Sequence, residues 1–354
     1  MSTPPEMLEA LRLLVEAESF SSDPGGLERC GLVLRDLCRG ILGSPPEAEG
    51  HVLRWERPGD RPILILCHYD TVWPTDTLAH FPFEVRDGVA RGPGAFDMKA
   101  GIVQGLFAIR DSSGPVTMLL THDEERGSAE SQEAIEREAL TSRAVLVLEP
   151  SADGGAVKTA RKGVAHWRIE VKGRAAHAGL EPEKGVNAAI EIARQLERIS
   201  SFGDPAAGTT VTVTMVRAGS AENVVPEEAW ASVDARVWTR EEGERLERAF
   251  GALEPLTEGA HLSVEGGMNR GPLGREASGD LYQRLRRLGY DLPAAEVGGG
   301  SDGNFTAALG VPTLDGLGAE GGGAHARNEH VLVDAMPWRA EMVARLIDDL
   351  AADG

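Results

Sequence analysis

The chain has 354 residues, a length that favours two domains over one core, and its 42% hydrophobic content is that of an ordinary soluble globular protein. A formal net charge of −20 argues against nucleic acid or an anionic membrane as a partner. Met1 to Glu6 is polar and lacks a basic stretch followed by an apolar one, so no signal peptide is expected, and no apolar window reaches the length of a membrane span.

Residues 5 to 40 have the spacing of a helix, with Leu8, Leu11, Leu14 and Val15 on one face. Cys30 and Cys38 fall in that pattern and Cys67 inside an apolar run. None forms a CxxC pair, so buried thiols in a reducing compartment, the cytoplasm, are expected. Ile63 to Cys67, Val116 to Leu120 and Ala144 to Leu148 are short apolar runs that suit strands buried on both faces, and Met98 to Ile109 carries helical spacing. Strands alternating with helices predict an α/β fold, a mixed sheet sandwiched by helices. From His166 to Val171, Thr209 to Val216 and Ala229 to Val237 the pattern becomes strict alternation, the mark of strands with one solvated face, with an amphipathic helix from Asn187 to Ile199 between them. The first pattern resumes with a helix at Leu281 to Leu288 and a strand near Thr313. The expected organisation is a catalytic domain of residues 1–161 and 272–354, interrupted by an α+β domain of residues 162–271.

Histidines and carboxylates stand at the ends of the predicted apolar strands or in the loops that follow. His68 and Asp70 follow the first run, Asp97 precedes a helix, Glu124 and Glu125 follow the second run, Glu149 follows the third, and His325 lies in a glycine-rich loop. Open α/β sheets bind ligands at the carboxyl ends of their strands. Imidazole and carboxylate are the ligands of hydrolytic zinc. Two histidines and three carboxylates serve two metals if one carboxylate bridges. Asp70 is placed to orient His68, and Glu124, beside a ligand, to take a proton from water. Each residue alone has a plainer reading: Asp97 as a helix cap, the Glu pair as a solvated face, a single histidine as a satisfied surface group.

Taken together, HYDTVWP, RGPGAFDMKAG, THDEERGS, LVLEPS, GRAAHAG, ENVVP and GGGSDGN…GGGAHARNE occur in the order found in the co-catalytic zinc hydrolases. That family includes glutamate carboxypeptidase, acetylornithine deacetylase, succinyl-diaminopimelate desuccinylase and aminoacylase. The chain resembles most the bacterial glutamate carboxypeptidase branch (carboxypeptidase G type), over nearly everything after residue 60. The resemblance implies a zinc-exopeptidase-like fold with an inserted lid and dimerisation domain. It implies two zinc ions: His68 and Glu149 on one, Glu125 and His325 on the other, Asp97 bridging; oxygen and nitrogen ligands also tolerate cobalt or manganese as substitutes. Asp70 would orient His68, Glu124 would be general base and proton donor, and Asp97–Met98 would be a cis peptide. His177 would reach into the partner subunit of a homodimer and stabilise an oxyanion. Asn223, Arg236, Arg270 and Gly300 match positions near the substrate, the last two where its carboxylate is gripped. The implied reaction is hydrolysis of an amide next to a free carboxylate. C-terminal peptide residues, folate-like conjugates and N-acyl amino acids all fit, so an N-acyl-amino-acid deacylase or dipeptidase stays open. Tyr69, Ala326 and Val297 depart from the branch's usual residues.

A different reading uses Gly299 to Gly303 as a G-x-S-x-G elbow, with Ser301, Asp315 and His325 in serine-hydrolase order. It requires a strand before Ser301, where PAAEVGG is a poor one, and it leaves the strand-end carboxylates unexplained. A metal-binding scaffold without activity is the other alternative; its usual mark, loss of Glu124, is absent.

Overall fold

The computed structural model describes residues 4–353, so Met1 to Thr3 of the polar N-terminal stretch lie outside it. The chain divides into two compact units: Met1–Ala160 with Leu273–Val297 and Ser301–Gly354, and Arg161–Pro272 with Gly298–Gly300.

The first unit is built on a six-stranded sheet in the order Glu47–Glu49, Val52–Arg57, Val116–Thr121, Ile63–His68, Ala144–Val147, Thr313–Leu314. The last four run parallel and the first two add an antiparallel edge. All six residues of Ile63–His68 are buried, and strand alternation divides them between two cores. Ile63, Ile65 and Cys67 join Met118, Leu146 and the helices Pro4–Glu16, Pro24–Leu42, Ala100–Asp111 and Ala335–Ala351. Leu64 and Leu66 join Leu119, Val145, Ile135 and Phe305 on the opposite face. Each such aliphatic side chain contributes about 1.5–3 kcal/mol by burial. Helices on both faces follow from a central strand that is buried at every position and apolar from Ile63 to Cys67.

Three expected boundaries are corrected. Residues 5 to 40 form two helices, Pro4–Glu16 and Pro24–Leu42. The second starts at Asp23, whose side chain accepts from the Gly25 amide at 3.1 Å, with Pro24 in the first turn. The break runs beside the end of the central strand: the Thr71 amide donates to the Ser19 carbonyl at 2.9 Å. The helix expected from Met98 begins at Ala100, after a wide turn over Ala95–Lys99 in which Asp97 is extended (φ −114°, ψ 94°) and Asp97–Met98 is cis. The helix expected from Leu281 begins at Arg275.

The second unit is a four-stranded antiparallel sheet in the order Thr210–Ala218, Glu228–Val237, Gly163–Lys172, His261–Arg270. One face buries Ile169, Val171, Ala231 and Val233 with Ile192 of the helix Ala188–Ser200 and Leu246 and Phe250 of the helix Arg240–Gly251. Trp167 stacks on Phe250 with ring centroids 3.9 Å apart. The sheet carries helices on this face, and the strands are largely apolar at alternate positions, with Met215 and Val216 an exposed exception beyond a register shift. Among the described residues no helix is long and apolar enough to cross a membrane.

Candidate metal centre

The parallel register brings the strand ends level. His68 pairs with Thr121, and Leu66 with Val147. The loops that follow therefore start side by side, three residues before Glu124 and two before Glu149. Asp97 enters from the wide turn ahead of Ala100, and His325 from the loop between the short strands Gly321–Gly322 and His330–Leu332. His325 holds φ 61°, a left-handed backbone that a non-glycine residue adopts at a cost of about 1–3 kcal/mol.

These side chains converge. The Nε2 atom of His68 lies 3.3 Å from Oδ1 of Asp97 and 3.4 Å from Oε1 of Glu149. The Nε2 atom of His325 lies 3.3 Å from Oδ2 of Asp97 and 3.0 Å from Oε1 of Glu125. Asp97 thus turns one oxygen to each imidazole. Two trios have ligand atoms within 4.8 Å of one another: His68, Asp97 and Glu125, and His68, Glu124 and Glu149. Glu124 reaches the same space as His68 and Glu149.

Asp70 is fully buried behind this group. Its Oδ1 is 3.4 Å from Nδ1 of His68, and that ring nitrogen is also 3.1 Å from the Asp70 carbonyl. The Asp70 carboxylate accepts from the Ser21 hydroxyl at 2.7 Å and from the amides of Glu124 at 3.2 Å and Glu125 at 3.3 Å. It therefore ties the first histidine to the acidic pair. The donation from Ser21 comes from the helix break and was invisible in the sequence pattern.

The electrostatics fit a cation. Burial works against an imidazolium at His68, yet Asp70, Asp97 and Glu149 raise its pKa well above the ordinary value. Asp97 and Glu125 raise His325 to about 10. Burial opposes the Asp97 carboxylate, but His325 and His68 hold its pKa far below the usual range. Burial pushes Glu125 up. Four carboxylates, Asp97, Glu124, Glu125 and Glu149, and two imidazoles form an oxygen- and nitrogen-rich cage with excess negative charge, the donor set of zinc, cobalt or manganese.

The remaining candidates belong to the second unit. His177 is exposed, and its Nδ1 accepts from the amides of Gly179 at 3.1 Å and Leu180 at 3.2 Å. A neutral ring so held carries its proton on Nε2 and can donate from there. The Ala178 amide donates to the carbonyl of exposed Asn223 at 2.9 Å. Arg236 forms a two-pronged pair with Asp234 on its own strand, at 2.9 and 2.8 Å, rather than across the sheet. Arg270 is buried at the end of its strand. The Gly300 carbonyl, with that of Gly299, accepts from Arg161, a buried residue that no motif had singled out.

The serine-hydrolase reading fails on geometry. A strand, Ala294–Val297, does precede Ser301, contrary to the sequence expectation. Ser301 is nevertheless fully buried, and its hydroxyl donates to Asp315 at 2.5 Å, while the described partners of His325 are Asp97 and Glu125. His122, two residues from Glu124, meets Glu130 at 3.3 Å and the ring of His51 instead.

Comparison with known proteins adds independent findings. The model of peptidase family M20/M25/M40 matches residues 64–349. Carboxypeptidase G2 of Pseudomonas sp. (strain RS-16) is 30% identical over 98% of this chain and 90% of its own length. Succinyl-diaminopimelate desuccinylase of Nitratiruptor sp. is 28% identical over 74% of this chain and 77% of its own. Among solved structures, an M20 family metallo-carboxypeptidase from Sulfolobus solfataricus superposes with a TM-score of 0.75 at 17% identity, covering 99% of this chain and 100% of that one. Aminopeptidase PepT from Bacillus cereus gives 0.74 at 23% identity, covering 99% of each. At these identities the two structures speak for the fold.

Proposed function

This chain belongs to peptidase family M20/M25/M40 and is a metallohydrolase, and from that premise we propose that it cleaves an amide bond next to a free carboxylate, in the manner of a glutamate carboxypeptidase. The observation that carries the site assignment is the split of Asp97, one oxygen 3.3 Å from His68 and the other 3.3 Å from His325. His68 and Glu149 would hold one zinc ion, Glu125 and His325 the second, with Asp97 shared. When bound, such a pair polarises the scissile carbonyl and makes water more acidic.

The chain's own residues supply the rest. Asp70 orients His68 and, through the backbone amides of Glu124 and Glu125, the position of the acidic pair. Glu124 takes a proton from the attacking water and returns it to the leaving amine. His177 donates from Nε2 to the oxyanion, acting in the partner subunit of a homodimer formed through the second unit. Arg270 and the backbone at Gly300 receive the substrate's free carboxylate, with Asn223 and Arg236 beside it. A guanidinium suits a carboxylate fork and offsets the chain's net charge of −20. The three free, buried cysteines support a reducing compartment, the cytoplasm.

Deacylation of an N-acyl amino acid is a second reading, supported by the likeness to succinyl-diaminopimelate desuccinylase. The two are separated by a panel of N-blocked glutamates, other C-terminal dipeptides and N-acyl amino acids, assayed with metal analysis on the same sample. Higher kcat/KM on glutamate conjugates than on N-succinyl and N-acetyl substrates supports the first. The reverse order supports the second, and no cleavage across the panel by zinc-loaded protein contradicts both.

A further inference from the structure

We propose that Glu329 is the positioning residue for Asp97, holding the backbone of the shared ligand so that its carboxylate faces both metal positions. Glu329 is fully buried. Its Oε1 accepts from the amides of Phe96 at 2.9 Å and Asp97 at 3.1 Å. Its Oε2 accepts from the Gly94 amide at 3.0 Å and from the indole Nε1 of Trp73 at 2.7 Å. Four N–H donors converge on one carboxylate, which orders the Gly94–Asp97 turn from inside.

Glu329 also joins three chain segments that each contribute to the metal centre. Trp73 follows His68 and Asp70 in HYDTVWP, Gly94 to Asp97 is the GAFD turn, and Glu329 lies four residues after His325. The backbone is shaped for this contact. Gly94 takes φ 69°, and a Cβ there would meet Cγ2 of Thr71 at 2.4 Å, so glycine is required where the turn presents its amide to Glu329. A carboxylate that serves only to hold a loop would need no amide from the ligand residue itself. Here the Asp97 amide is among the four donors, so displacement of Glu329 moves the one residue whose two oxygens must serve two imidazoles.

This inference rests on the reading of the site as a two-metal centre, and the experiment separates the two. Wild-type protein and E329Q, both stripped of metal, are titrated with Co²⁺ and Zn²⁺, followed by visible absorption and equilibrium dialysis, with circular dichroism as a check on folding. The amide of glutamine places an NH₂ against N–H donors while keeping the side chain's size. The expected result is a wild type that binds two ions per chain and an E329Q that binds both about ten- to a hundredfold more weakly, with a shifted cobalt spectrum. An E329Q that binds two ions with wild-type affinity and spectrum overturns the role of Glu329 alone. A wild type that binds fewer than two overturns the two-metal reading instead. If E329Q does not fold, W73F, which removes one donor and leaves the carboxylate, takes its place. A shifted cobalt spectrum in W73F supports the proposal, and an unshifted one overturns it.

Discussion

Oδ2 of Asp97 lies 3.3 Å from Nε2 of His325, while the other oxygen of the same carboxylate stands at the same distance from His68. A helix cap would direct its carboxylate at backbone amides of the following turn; Asp97 directs both oxygens at side chains that can hold metal. The proposed two-metal chemistry depends on this relationship.

Glu124 is the proton-transfer group in this account. E124A should lower kcat by about 10²–10⁴-fold while the protein keeps its full metal content. Steady-state kinetics with metal analysis on the same preparation checks this. A variant with near-normal kcat removes Glu124 from the mechanism.

Asp70 should act through position rather than contact with substrate. D70N keeps the shape but weakens the acceptor for His68, Ser21 and the amides of Glu124 and Glu125. Metal affinity should fall about 10–100-fold, with kcat largely restored at saturating zinc. Unchanged affinity in a zinc-buffered titration would contradict the role.

Activity should need His177 from the other subunit. H177A and E124A homodimers should each be nearly inactive, and a randomly mixed population should regain about a quarter of wild-type activity, since half the dimers hold one complete site. Mixing after subunit exchange, with no recovery, would show that His177 does not act in trans.

The second unit has its own pH dependence. Bonds from Arg245 and from the Thr209 hydroxyl, at 2.8 and 2.6 Å, lower the Glu242 pKa from 4.5 to about 2. A depressed folded-state pKa means that its contribution is fully present above the unfolded value and is lost as pH falls toward about 2. Hydrogen exchange near Thr209, expressed relative to the intrinsic amide rate at each pH, should therefore accelerate between about pH 4.5 and about pH 2 in the wild type. In E242Q it should already be faster at neutral pH and lose that component of the pH dependence. A wild-type profile identical to that of E242Q would contradict the tie.

The strand ends and the residues after them were legible because a buried parallel sheet demands continuous apolar runs, and chemistry-bearing residues stand out where such runs stop. The alternating strands of the second unit were legible for the converse reason. The helix break at residues 17–23 was missed because apolar spacing continues across it, although Ser22, Asp23 and Pro24 carry a start signal. The Asp70 bonds to Glu124 and Glu125 join residues more than fifty positions apart, and the contacts of Glu329 span more than two hundred. No local pattern encodes them. The two-residue strand Gly321–Gly322 offers no periodicity, and the tie between Arg161 and the carbonyls of Gly299 and Gly300 depends on the fold closing.

The most direct test of the central claim is a crystal structure of zinc-loaded protein with anomalous differences measured at the zinc edge. Two peaks about 3.5–4 Å apart are expected, one beside His68 and Glu149, the other beside Glu125 and His325, with one oxygen of Asp97 on each. A single peak, or two peaks of which one lies beyond reach of Asp97, would contradict it.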